Sequence, residues 1–85
     1  MKRKHAKTLA LIFHRPVSGN VRFDDVLSLL VELGAIIETS REGSRVGVVL
    51  FGEVRVLHQP HPDPSMDKGA VAAVRDWLQQ KGVTP

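Results

Sequence analysis

Histidine is the side chain best suited to moving protons near neutral pH, because an unperturbed imidazole titrates at about pH 6.5. The chain has 4 of them, at positions 5, 14, 58 and 61. His58 and His61 stand together in Leu57-His-Gln-Pro-His-Pro62, where a strand-like stretch runs into prolines. Those prolines exclude a helical i, i+3 pair, and no cysteine or carboxylate pattern completes four ligands, so no metal is expected there. Arg45 precedes a β-branched run, Val46–Phe51, that leads into a tight turn at Gly52-Glu53. An antiparallel strand leaving that turn places residues 57–60 opposite 45–48, and with neighbouring strands about 4.8 Å apart Arg45 comes beside His58. A proton carrier next to a fixed guanidinium is chemistry suited to a phosphodiester, the arginine holding the phosphate and stabilising charge on phosphorus.

The other polar candidates carry less. His5 and His14 flank the first apolar segment among basic residues and are expected at the surface, with His14 in reach of phosphate. Ser44 follows a glycine but has no base fixed beside it, so it reads as a hairpin-turn serine. Asp24 and Asp25 face about 100° apart on a helix and do not form an acid/base dyad. Trp77 falls at core spacing, which leaves Phe51, near a turn, as the better surface for stacking a base.

The elements that must position these groups fit one domain over residues 1–85. An apolar fraction of 42% with 25% charged residues is that of a folded globular chain. With no cysteine there is no disulfide scaffold and no thiol nucleophile, which suits a reducing cytoplasm. No apolar run approaches the roughly 20 residues of a membrane span, and Leu9 to Phe13 is too short for a signal core, so no membrane is expected. The net charge is +3, unevenly placed: residues 1–23 hold Lys2, Arg3, Lys4, Lys7, Arg15 and Arg22 and no acid. A purely basic end favours a polyanion, and nucleic acid is the commonest in a cytoplasm.

Periodicity predicts a basic helix over residues 4–15, with Leu9, Ile12 and Phe13 on one stripe and Pro16 as its stop. A second helix is predicted from Phe23 to Leu33, its apolar face Phe23, Val26, Leu27, Leu30 and Leu33, closed by Gly34 as a left-handed cap. Short β-branched runs at 35–39, 46–51 and 54–58 then read as an antiparallel meander with a first turn at Arg41-Glu-Gly-Ser44. Pro60, Pro62 and Pro64 prevent the ladder from continuing, and Asp67 caps a last helix from Lys68 to Lys81. The order αα-βββ-α predicts a small two-layer α+β domain with helices on one face of a three-stranded antiparallel sheet. The other face stays partly open, a platform for RNA or a partner protein.

Three stretches carry a family resemblance: the helix Phe23-Asp-Asp-Val-Leu-Ser-Leu-Leu-Val-Glu-Leu-Gly-Ala35, the segment Arg41-Glu-Gly-Ser-Arg45, and Val54 to His61 followed by Lys68-Gly69. Over about residues 21–82 they resemble the HicA family of bacterial toxins, with the basic N-terminal helix as an addition. The resemblance implies a double-stranded-RNA-binding-like fold and the toxin component of a type II toxin–antitoxin system. It implies a metal-independent endoribonuclease, an mRNA interferase needing no cofactor. The implied partners are mRNA and a HicB-like antitoxin protein, in a toxin–antitoxin hetero-oligomer in the cytoplasm. The family's catalytic histidine lies in a Gly-Ser-His motif, and here Arg45 takes its place. A guanidinium stays protonated to above about pH 12 and cannot act as the base, so proton transfer falls to His58 or His61 with Arg45 as phosphate clamp. His61 lies near a histidine that family members often carry before the last helix. RNA contacts are expected from Lys4, Lys7, Arg41, Arg45, Arg55 and Lys68. The alternative is a HicA-like module that has lost catalysis and only holds RNA or an antitoxin.

Overall fold

The structure is a computed structural model that describes residues 1–39 and 43–85. Arg41, an expected RNA contact, and Glu42 of the first hairpin turn lie outside the described residues. Three helices, α1 (Arg3–Ile12), α2 (Phe23–Glu32) and α3 (Lys68–Gln80), accompany three strands, β1 (Ile36–Thr39), β2 (Arg45–Leu50) and β3 (Glu53–His58). The strands form one antiparallel sheet in the order β1-β2-β3, giving the expected αα-βββ-α layout. Among the described residues no helix is long and apolar enough to cross a membrane.

Burial alternates along β2, where Val46, Val48 and Leu50 point into the core. Their outward neighbours make the opposite face, on which Ile36, Val49 and Val54 are cross-strand partners and Val56 lies one pair further along. Ile36, Val54 and Val56 are exposed there, so one face of the sheet is open and aliphatic. On the inner face all three helices join a single core: Leu9 and Ile12 from α1, Val26, Leu29 and Leu30 from α2, and Val71, Val74, Trp77 and Leu78 from α3.

Several boundaries differ from the sequence expectation for local reasons. α1 stops at Ile12, short of Arg15, because residues 14–16 already fold into a turn in which His14 Nδ1 donates to the Pro16 carbonyl at 2.9 Å. In α2 the buried face includes Leu29, while Leu27 and Leu33 are only half-buried. That helix packs against both α1 and β1, so its apolar arc is turned from the stripe that one neighbour would require. Gly34, at φ 108°, is the left-handed cap the sequence indicates. The second hairpin turn lies one residue earlier than expected: Phe51 (φ 56°) and Gly52 (φ 73°) form it, and Glu53 already belongs to β3. Two successive positive φ values make the two-residue turn whose twist matches the strands it joins.

Asp67 caps α3 as expected, its Oδ1 accepting the Ala70 N–H at 2.7 Å. Less legible is what anchors the proline-rich loop before it. The Met66 N–H donates to the Val21 carbonyl at 2.8 Å and the Phe23 N–H to the Pro64 carbonyl at 3.0 Å, around a bridge between Arg22 and Ser65. Val21 and Met66 are both buried, so the loop is pinned to the entrance of α2 by core side chains as well as by backbone.

The turn gives a clean test of backbone strain. A Cβ on Gly52 meets no atom within 4 Å, so Gly52→Ala should cost only its left-handed conformation, about 1–2 kcal/mol. Gly47→Ala, without a positive φ and with its Cβ 3.5 Å from the Glu38 carbonyl oxygen, should cost less. Urea unfolding of the two variants against the parent chain measures the difference.

Candidate active site

Arg45 and His58 are Cα partners across β2 and β3; the expected turn at Gly52-Glu53 would have set His58 opposite Gly47, so the two meet at the expected end of the sheet but in a different register. One step further the Gln59 N–H donates to the Ser44 carbonyl at 2.7 Å, which closes the ladder. Hydrogen-bonded pairs alternate along an antiparallel ladder, so Arg45 and His58 form a non-hydrogen-bonded pair, with Cα atoms about 4.5 Å apart and side chains on the same face. Both are exposed. This end of the sheet therefore presents a guanidinium and an imidazole together, on the open side.

His58 continues into the pinned loop, and the two bound a cleft of about 650 Å³ with the first turns of α3. His58, at the end of β3, and His61, in the loop, both line it. Arg45 is not among its lining residues and stands at the adjoining sheet end. Asp63 and Asp67 also line the cleft, and neither figures in the sequence-based set. Asp63 Oδ1 accepts the Ser65 N–H at 2.8 Å, an Asx turn of the kind that Asp-Pro-Ser favours, which is the signal that could have found it. Lys68 is exposed at the start of α3, its Cε 3.7 Å from where a Cβ on Gly19 would stand. Gly19 lines the cleft, so Lys68 lies at its mouth. Among the described residues no group of three or more His, Cys, Asp or Glu side chains gathers as a metal site would require.

The remaining basic residues of the expected RNA set are placed elsewhere. Arg55 pairs with Val48, which is fully buried, so it lies on the inner face, opposite to Arg45. Its Cζ sits 4.9 Å from the Trp77 ring centroid and its Nη2 is 3.8 Å from Glu53 Oε1. Trp77 is a core residue, as expected, and the Phe51 ring meets it edge-on at 5.8 Å, so the proposed stacking residue is partly engaged by the molecule's own aromatic pair while remaining exposed. Lys4 and Lys7 are exposed on α1, which packs on α2 and α3, in the helical layer. His5 is not a surface residue: it is buried, with Nε2 3.9 Å from Glu32 Oε2. Its place on the stripe of Leu9 and Ile12, at i, i+4 and i+7, accounts for this.

Glu53 ties β3 to the end of α3. Its Oε2 lies 2.6 Å from Lys81 Nζ, and this hydrogen bond holds the carboxyl below the usual 4.5, with burial opposing and Trp77 and Arg55 assisting. A carboxylate depressed in the folded state stabilises fully above its unfolded value and loses that contribution as pH falls through the folded one. Thermal unfolding should therefore show stability falling below about pH 4.5, and Lys81→Met should flatten that part of the profile.

Compared with known family models, curated proteins and solved structures, the chain matches none.

Proposed function

We propose that this chain binds RNA at the Arg45–His58 end of its sheet and cleaves it without metal, as the toxin of a HicA-type toxin–antitoxin pair. The observation that carries the reading is the pairing of Arg45 with His58 in register, next to a cleft that His58 shares with His61. One imidazole takes the proton of a ribose 2′-hydroxyl, whose oxygen attacks the adjacent phosphorus. The P–O5′ bond breaks, and the other imidazole, as imidazolium, protonates the leaving 5′-oxygen, leaving a 2′,3′-cyclic phosphate. Arg45 binds the non-bridging oxygens, where charge rises in the transition state. Lys68 at the cleft mouth guides the strand, and Lys4 and Lys7 add long-range attraction rather than local contacts.

A second reading keeps the binding and drops the chemistry, the chain being a HicA-like module for RNA or an antitoxin. The open sheet face favours it: Ile36, Val54 and Val56 are exposed aliphatics, which suit a protein partner and offer no ring for a base to stack on. In this reading, as in the first, a HicB-like protein covers the domain in a hetero-oligomer in the cytoplasm.

Incubation of the purified chain with a long RNA in EDTA separates the two. Cleavage is expected, and His58→Ala or His61→Ala should slow it about 10²–10⁴-fold. Arg45→Ala should weaken both binding and rate, with a shallower dependence of affinity on salt, by a slope of about 0.7 per lost phosphate contact. RNA that shifts on a gel yet stays intact supports the second reading. RNA that neither shifts nor breaks contradicts the first reading and leaves of the second only an antitoxin-binding module.

A further inference from the structure

The electrostatics of the cleft are opposite to those of its rim. Among the described residues its lining carries the carboxylates Asp63 and Asp67 and neither a lysine nor an arginine, whereas Lys68 stands at the mouth and Arg45 at the adjoining sheet end. A phosphate is repelled from such an interior and held at its edge. The floor is different again: Met66 is buried and Ala70 half-buried, an apolar surface beneath acceptor groups. A volume of about 650 Å³ is ample for a nucleobase with part of its ribose, and a mostly apolar pocket with a few convergent polar groups is the usual form of a ligand site.

We propose that the cleft takes one unpaired base of single-stranded RNA and prefers guanine, its ribose-phosphate remaining outside between Arg45 and Lys68. This rests on the RNA contact proposed above and names the base that the contact selects. The preference follows from donor count. The Watson–Crick edge of guanine presents N1–H and the N2 amino group side by side, which suits a carboxylate that can only accept. Uracil presents a single N–H between two carbonyls, and both carbonyls meet the carboxylate unfavourably. Asp63 is pre-oriented for this task, since the Ser65 N–H fixes its Oδ1 at 2.8 Å while a carboxylate retains capacity for further donors. A duplex keeps these edges paired, so only a single strand can enter.

The test uses fluorescence anisotropy with the full chain and uncleavable 2′-O-methyl heptanucleotides, uridine throughout or with one central guanosine, inosine or adenosine. The guanosine oligonucleotide should bind at least about fivefold more tightly than the all-uridine one, with inosine, which lacks the amino group, in between. Asp63→Asn should shrink the guanosine–uridine gap, by weakening guanosine and relieving the repulsion of uracil. Ala73→Leu, on an exposed turn of α3 that lines the cleft, should shrink it by filling the space and serves if Asp63→Asn unfolds the loop. Equal affinity for all four single strands would overturn the base pocket and leave RNA binding standing. A gap that survives both substitutions would also overturn it. Failure of every oligonucleotide and of long RNA to bind would remove the RNA reading itself.

Discussion

Because Phe51 and Gly52 both adopt positive φ, the chain reverses in two residues, and every later pairing between β2 and β3 is set from that point. The register is held by burial, since a slip of one residue would carry Val46, Val48 and Leu50 from the core to water. Three such side chains, at about 1.5–3 kcal/mol each, outweigh the strain of one left-handed phenylalanine. The same register leaves Arg45 opposite His58 at the far end of the hairpin. Core and candidate site are thus two consequences of one turn.

The hairpin also has two unlike faces. Inward, Arg55 over Trp77 and Glu53 against Lys81 link β3 to α3, so these charges are engaged within the fold. Outward, Arg45 and His58 lie exposed at the end of an aliphatic surface. The proline-rich loop completes the site because Val21 and Met66 anchor it in the core, which keeps His61 and Asp63 over the start of α3. On the proposed reading, carboxylates in the cleft and cations at its margins turn the base of a nucleotide inward and its phosphate outward.

What could be read from the sequence was whatever depends on near neighbours. Gly34 after the last apolar turn of α2 and Asp67 before α3 act through hydrogen bonds only a few residues long, and both are where local rules place them. That Arg45 and His58 meet at one end of the sheet was legible from the strand lengths, but their direct pairing was not, because a turn one residue later sets His58 opposite Gly47. The one-residue shift of that turn was hidden because phenylalanine rarely adopts positive φ, and only its packing on Trp77 makes the choice intelligible. The bond from Met66 to Val21 joins distant segments, and neither residue signals it. Arg55 was grouped with RNA ligands by charge alone, although its pairing with Val48 turns it inward. His5 was judged by its basic neighbours rather than by its stripe. Charge indicates what a surface attracts, but pairing and burial decide which cations remain on it.

The most direct check on the central claim is to follow the imidazole Hε1 resonances by NMR while an uncleavable 2′-O-methyl RNA is titrated into the chain. The account predicts that the His58 and His61 signals move together and saturate, while His5, buried against Glu32 in the helical layer, stays in place. Movement confined to His5 and His14, with His58 and His61 unchanged, would put the RNA on the basic helix and contradict the site described here.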